Sequence, residues 1–173
     1  MNRKIFCADA RVALAEYLPD EDDAERYDCW RDSGTEDGYN SKFGFGSFEE
    51  FCAWKHAERS RFYATIIARD GGSRVGAVFL SPAGSPPDLA IMIYPDFRHR
   101  GYGTSAFALA AEHCFSALKC GEIFAGCYEG NTASMKMLEK CGFTPHAEGN
   151  EQETHYLTGE ARWQLDFVRR NTL

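Results

Sequence analysis

Apolar and polar positions alternate through residues 10–17, with Val12 and Leu14 on one side, which is the period of a half-buried strand. Pro19 ends that run. Asp20 then offers an N-cap to a helix reaching about Arg31, with acidic residues gathered where the helix dipole favours them. Residues 32–46 are rich in Gly, Ser, Asn and aromatics and predict a loop. Its Tyr39, Phe43 and Phe45 are costly to leave in water, so the loop is expected to cover something. Ser47 followed by Glu50 is a capping box for a second helix through about Glu58. Residues 61–68 and 74–80 are β-rich runs joined by Asp70-Gly71-Gly72, which supplies the positive φ angles of a hairpin turn. Residues 89–94 form a continuous apolar run, as in a strand buried on both faces. From Thr104 to Leu118 the apolar positions 107, 110, 111, 114 and 118 fall at helical spacing, and Gly121 closes the segment. Residues 122–128 read as another strand, and a helix from about Asn131 ends at Gly142. The remainder, from Phe143, reads as a long hairpin turning near Thr158-Gly159.

The chain has 173 residues, 44% of them hydrophobic, which is the length of one domain over residues 1–173 and enough apolar material for its core. Its apolar runs are far short of the ~20 residues a membrane-spanning helix needs, and Asp9 and Arg11 break the only stretch that could form a signal-peptide core. No membrane partner is expected, and the cytoplasm is the expected location. The seven cysteines are scattered, with no C-x-x-C pair; free, buried thiols are expected and no metal site. The net charge is −7, and the first 60 residues carry −6 of it, from eight basic and fourteen acidic side chains. Nucleic acid needs a basic surface and is therefore not an expected partner. A cationic small molecule or peptide suits the acidic end, unless residues 20–28 are simply a solvated helix face.

The sharpest local feature is Arg98-His99-Arg100-Gly101-Tyr102-Gly103-Thr104, between a buried strand and a helix start. Glycines let backbone approach a ligand, and a helix N-terminus presents free N–H groups to an anion, so this segment is a candidate phosphate or pyrophosphate site. Gly101-x-Gly103-x-x-Ala106 also satisfies the dinucleotide fingerprint. That fold, however, needs several strand–helix repeats and an acidic residue ending the next strand about 20 residues on. Here hairpins flank only two such units, and Glu122 and Glu129 are too early and too late. No Walker-type motif is present.

Arg98-x-x-Gly101-x-Gly103 after a hydrophobic strand, followed by Asn131-x-x-Ser134 and Lys140-Cys141-Gly142-Phe143, resembles the GNAT superfamily of acetyl-CoA-dependent N-acetyltransferases. Asn-x-x-Ser, with Glu148-Gly149 and residues 156–159, is similar to the branch acetylating ribosomal-protein N-termini. The resemblance implies an α/β (α+β) fold, a mostly antiparallel mixed sheet whose one parallel strand pair splays, with flanking helices. It implies that the pantetheine arm of acetyl-CoA enters the splay and pairs with backbone of Ile91, Met92 and Ile93. The amides of Arg98, His99, Arg100, Gly101, Tyr102, Gly103 and Thr104 would hold the pyrophosphate, with the two arginines adding charge. Asn131 would hydrogen-bond the pantetheine, and Lys140 would reach a phosphate.

The implied chemistry is attack of a neutral primary amine on a thioester. Asp88 and Glu153 are the two candidate bases. Many family members protonate the leaving thiolate with a Tyr seven residues after the motif Asn; here that residue is Leu138, and the role falls to Ser134. The expected partners are a small-molecule or peptide amine, cationic in character, and a second copy of the chain in a homodimer. A non-catalytic acyl-CoA-binding regulator of the same fold is the alternative that Leu138 keeps open.

Overall fold

The computed structural model describes residues 3–172. Where the alternation of residues 10–17 predicts one strand, the structure holds a hairpin of β1 (Ile5–Ala8) and β2 (Val12–Glu16). Asp9 makes its turn, Oδ1 accepting from the amides of Arg11 and Val12 at 2.7 and 2.8 Å. Helix α1 (Pro19–Trp30) begins before the expected Asp20 cap. Pro19 fills the first helical position, where a missing N–H costs nothing, and Asp22 reaches back to accept from the Leu18 amide at 2.8 Å. The expected loop over residues 32–46 contains a short helix, α2 (Ser33–Gly38), because Asp32 caps it by accepting from Thr35 N at 2.9 Å. The expected helix over residues 47–58 is two, α3 (Phe48–Ala53) and α4 (His56–Arg59), broken where Lys55 takes φ of 52°.

Strands β3 (Phe62–Ala68) and β4 (Arg74–Leu80) follow, with Gly71 and Gly72 at positive φ in the turn between them. β5 (Leu89–Ile93) completes an antiparallel sheet of order β1-β2-β3-β4-β5. After α5 (Tyr102–Ser116) come β6 (Glu122–Tyr128), α6 (Thr132–Lys140), β7 (Thr144–Pro145), β8 (Glu151–Thr154) and β9 (Ala161–Arg170). β9 pairs antiparallel with β6 along its length, and with β7 and β8 on its other edge.

The two sheets meet at one point. Asp88 forms a parallel bridge with Phe124, whose amide donates to Pro87 O at 2.8 Å. Among the described residues the pairing goes no further, and β5 and β6 part. The continuous apolar run at residues 89–94 predicts burial on both faces; instead Leu89 and Met92 are buried while Ala90, Ile91 and Ile93 are partly open along the gap.

On one sheet face α5 packs Ala106, Phe107, Ala110, Ala111 and Cys114 against Val12, Leu14, Ile66, Val78 and Leu80. The other face carries Tyr17, Tyr63, Ala77, Met92 and Tyr94. The aromatics of residues 39–45 do cover something: Phe43 and Phe45 pack with Tyr27, Phe51 and Trp54, and Tyr39 packs on Trp30. All seven cysteines are free, and burial pushes the Cys114 thiol up to about 12. No helix of the described residues is long and apolar enough to cross a membrane.

Helix α1 turns a polar face inward. Asp22 is fully buried and accepts from Arg3 (2.7 and 2.9 Å) and from Thr65 Oγ1 (2.7 Å). Arg26, also buried, lies 4.3 Å over the Phe51 ring and donates to Tyr63 Oη. Part of the negative charge that the sequence suggests as a surface field is therefore consumed inside. Removing one partner of a buried pair strands the other, so Asp22→Ala is expected to cost about 3–5 kcal/mol in urea denaturation. A loss under ~1 kcal/mol would contradict this packing.

Candidate active site

The parting strands leave a cleft of ≈ 640 Å³ between β5 and β6, closed by the starts of α5 and α6 and by α2. At its outer end Gly101 caps α5 with φ of 83°, and His99 just before it also has a positive φ, 61°. This backbone turns the unpartnered amides of the first turn of α5 toward the cleft, and no acidic side chain sits in that turn to compete for them. A Cβ on Gly103 would lie 3.5 Å from Ile93 Cγ1 and 3.6 Å from Met137 Sδ, ordinary contacts. Packing does not demand glycine there, so its effect is to keep the cleft wall at backbone level.

Arg98 lines the cleft and is also engaged by its neighbours. Its guanidinium pairs with Asp32 at 2.8 Å, donates to Thr35 Oγ1 at 2.7 Å, and donates to Ile93 O through Nε at 3.1 Å. It thus pins α2 to the end of β5, with its charge matched by Asp32. Arg100 is exposed, lies 5.6 Å over the Phe97 ring, and stands outside the cleft lining. Lys140, exposed in the last turn of α6, is outside it too. Arg11, which no sequence pattern singles out, reaches from the β1–β2 turn to donate to Arg100 O at 2.9 Å.

Along β5 the carbonyls alternate. Met92 O faces β4, where Gly76 makes room, since a Cβ there would stand 2.2 Å from it. Ile91 O accepts from Tyr39 Oη at 2.8 Å, from the opposite side of the strand. Across the cleft, Asn131 caps α6 by accepting from the Ser134 amide at 3.1 Å, which leaves its NH2 group as a donor. Ser134 and Leu138, one turn on, both line the cleft, with Leu138 buried against the core. The phenols that line the cleft are Tyr39 and Tyr128 beside Tyr102, whose hydroxyl is bound to Asp70. Burial, then Glu153, pushes the Tyr128 phenol up to about 12.

The two candidate carboxylates are not brought together. Asp88, an exposed residue, lines the cleft where β5 and β6 join. Desolvation by the protein around its carboxyl, and secondarily the negative charge of Asp166, pushes it up to about 6. Glu153, on β8, is outside the cleft lining, and its Oε2 accepts from Tyr128 Oη at 2.8 Å and Asn40 Nδ2 at 3.0 Å.

Glycine-kept backbone at a helix N-terminus, beside a strand edge opened by splaying, is a socket for an extended ligand with an anionic end. Residues 3–144 match the acetyltransferase (GNAT) domain, and the chain belongs to that family of acetyl-transferring enzymes. Among solved structures it is similar to a GNAT-family acetyltransferase from Bacillus anthracis, at 17% identity over 96% of this chain and 98% of that one, TM-score 0.77. A spermidine N-acetyltransferase from Vibrio cholerae, in complex with CoA and spermine, aligns at 16% identity over 94% and 96%, TM-score 0.77. The ribosomal-protein-S5-alanine acetyltransferase from Vibrio fischeri aligns at 14% identity over 96% of each chain, TM-score 0.75. No curated protein sequence matches the chain.

A carboxyl whose pKa is raised in the folded state binds more protons there than when unfolded, so its cost to stability sets in as pH rises through roughly 4 to 6. Asp88→Asn removes that cost. Its Tm is expected to exceed the parent's at pH 8 and to match it at pH 3.5, in paired melts; equal Tm values at both pH values would show that Asp88 is not perturbed.

Proposed function

We propose that the chain transfers an acetyl group from acetyl-CoA to a primary alkylamine by direct attack of the amine on the thioester. The observation that carries this reading is the cleft itself: a strand edge opened at Asp88, ending at the amide turn of residues 98–104. The residues fit the cofactor. The amides of Gly101 to Thr104 would hold the pyrophosphate, the edge of Ile91 to Ile93 would pair with the pantetheine, and the Asn131 side-chain NH2 would donate to it. Arg98, part of the cleft lining, ties this wall to α2 through Asp32 and Thr35, and Arg100 and Lys140 are assigned no contact. The whole chain serves as one domain in this reading, since β9, beyond the family match, pairs with every residue of β6.

Bound acetyl-CoA supplies the activated thioester; the protein must supply a neutral amine and a donor for the sulfur. At pH 7 a lysine-like amine of pKa ~10.4 needs roughly 4.6 kcal/mol to lose its proton, against about 1 for an α-amine. Asp88 is the base in this reading, taking that proton directly or through a water in the cleft. Glu153 instead holds Tyr128 and Asn40 in place. Ser134, on the first turn of α6, donates its hydroxyl hydrogen bond to the departing sulfur, the task for which Leu138 provides no phenol. A cationic amine is favoured by the carboxylate at the join and by the exposed acidic residues of α1; the polyamine ligand of the Vibrio cholerae neighbour is of that class.

An assay of free thiol with acetyl-CoA and a panel of amines tests the reading. Cationic alkylamines are expected to release CoA fastest, with added salt eroding the preference. Gly103→Val, whose branched side chain would fill the space at the turn, is expected to keep the fold and weaken acetyl-CoA binding at least about tenfold by calorimetry. Ser134→Ala should lower kcat by about ten- to a thousandfold with cofactor affinity nearly unchanged. Cofactor binding without thiol release for any amine would leave a non-catalytic acyl-CoA binder, and undisturbed binding by Gly103→Val would place the cofactor elsewhere.

A further inference from the structure

The polar side chains on one face of β6 and β9 are all tied to partners, with one exception. The isolated bridge joins Asp88 to Phe124, and bridged residues share a face, so Gly126 and Tyr128 stand on the same side as Asp88, Ala90 and Met92. Ladder pairing adds Gln164, opposite Tyr128, and Asp166, opposite Gly126. On this face Tyr128 is bonded to Glu153, Asp166 to His146, Arg162 to Asp37 and Arg170 to Glu122. Gln164 lines the cleft, and among the described residues no group bonds its carboxamide.

The fold nevertheless gives that side chain a fixed place. Its backbone is held between Tyr128 of β6 and Glu151 of β8, and the side chain leans along β6 over Gly126. A Cβ at Gly126 would stand 2.8 Å from Gln164 Nε2 and 3.7 Å from its Cγ and Cδ. Gly126 lacks the positive φ for which glycine is usually required, and glycine inside a strand weakens it. What the missing side chain supplies is the room in which the carboxamide lies. An amide with donor hydrogens and an accepting oxygen, free of protein partners and open to a cleft, is a recognition group.

The face it occupies decides what it meets. Helix α5, whose first-turn amides receive the cofactor in the acetyl-transfer reading, packs on the opposite face with Ile123, Ala125 and Cys127. Leu165 and Phe167, alternating with Gln164 along β9, join that same core. The Gln164 face is the one on which Tyr39 of α2 packs beside Met92, and Gly38 and Tyr39 line the cleft there. An acceptor therefore reaches the thioester from the side of Gln164 and Asp88. Gly126 is two residues from the bridge, roughly 7 Å along the strand.

We propose that the Gln164 carboxamide is a specificity-determining group for the acceptor: its Oε1 accepts an N–H of the alkylamine and holds the nitrogen at the thioester. The inference rests on the acetyl-transfer reading, and not on which group takes the amine's proton. An alkylammonium and the neutral primary amine it becomes both carry more than one N–H, so this hydrogen bond persists while a proton leaves elsewhere. A carboxamide accepts the bond without taking the proton itself.

The test compares the parent with Gln164→Met, Gln164→Glu and Gly126→Ala, using the alkylamine of the panel that the parent acetylates fastest. Thiol release gives kcat and KM, and calorimetry gives the acetyl-CoA Kd. Gln164→Met, similar in size but without an accepting oxygen, should raise KM for the amine about tenfold, with Tm and acetyl-CoA Kd as in the parent. Gln164→Glu keeps an accepting oxygen and adds charge, and should lower that KM a few-fold. Gly126→Ala displaces the carboxamide; it should raise KM as Gln164→Met does and add nothing to it in the double variant. A parent-like KM in Gln164→Met overturns the inference and leaves the acetyl-transfer reading intact. So does a Gln164→Glu variant as impaired as Gln164→Met, which would make the amide a donor, or an equal loss of acetyl-CoA affinity, which would assign Gln164 to the cofactor. No thiol release by the parent with any alkylamine overturns the reading and the inference with it.

Discussion

Everything in this protein turns on the parting of two neighbouring strands. A sheet edge with unpaired amides and carbonyls is a liability that folds normally cover. Here β5 and β6 share a single parallel bridge at Asp88 and Phe124 and then diverge, each secured on its far side by a full antiparallel ladder. The exposed edge is thereby fixed, with Ile91 O and Ile93 O already accepting from Tyr39 and Arg98, and in the proposed reading the amides of Ile91 and Ile93 are left for the ligand. The start of α5 lies at the open end of the gap and Asp88 at its closed end, so both ends of the cleft are placed by the same divergence.

The α1–α2 side of the cleft is held by polar contacts as well as by its aromatic cluster. Helix α1 buries Asp22, Asp23 and Arg26, and α2 is fastened at both ends, by Arg98 to Asp32 and by Tyr39 to Ile91 O. The far end of the chain closes the same side, with Asn40 donating to Glu153 and to Thr154 O, and Asp37 paired with Arg162. Segments 113 to 125 residues apart thus meet on one side of the cleft, each through groups whose desolvation is compensated by a partner.

What the sequence made legible follows from how local each signal is. The capping of α6 by Asn131, the glycine turns at residues 71–72 and 101, and the helical stripe of α5 depend on neighbours within a turn or two, and the structure has them near where the pattern puts them. The first 60 residues were harder to read. The buried face of α1 is made of charged residues, so amphipathic reasoning takes it for solvated, and its partners Arg3, Thr65 and Tyr63 are distant in sequence. Arg98 reads as a free cation because Asp32, which neutralises it, is 66 positions away.

The central claim, that the divergent edge of β5 is the socket for acetyl-CoA, is tested most directly by amide hydrogen exchange with and without the cofactor. Binding should slow exchange at two separated places, the amides of Ile91 and Ile93 and those of residues 101–104, while the amides of β2 and β3 and of Ala90 and Met92, already paired within the sheet, keep their rates. Protection confined to another surface, with both stretches exchanging as in the free protein, would contradict the account.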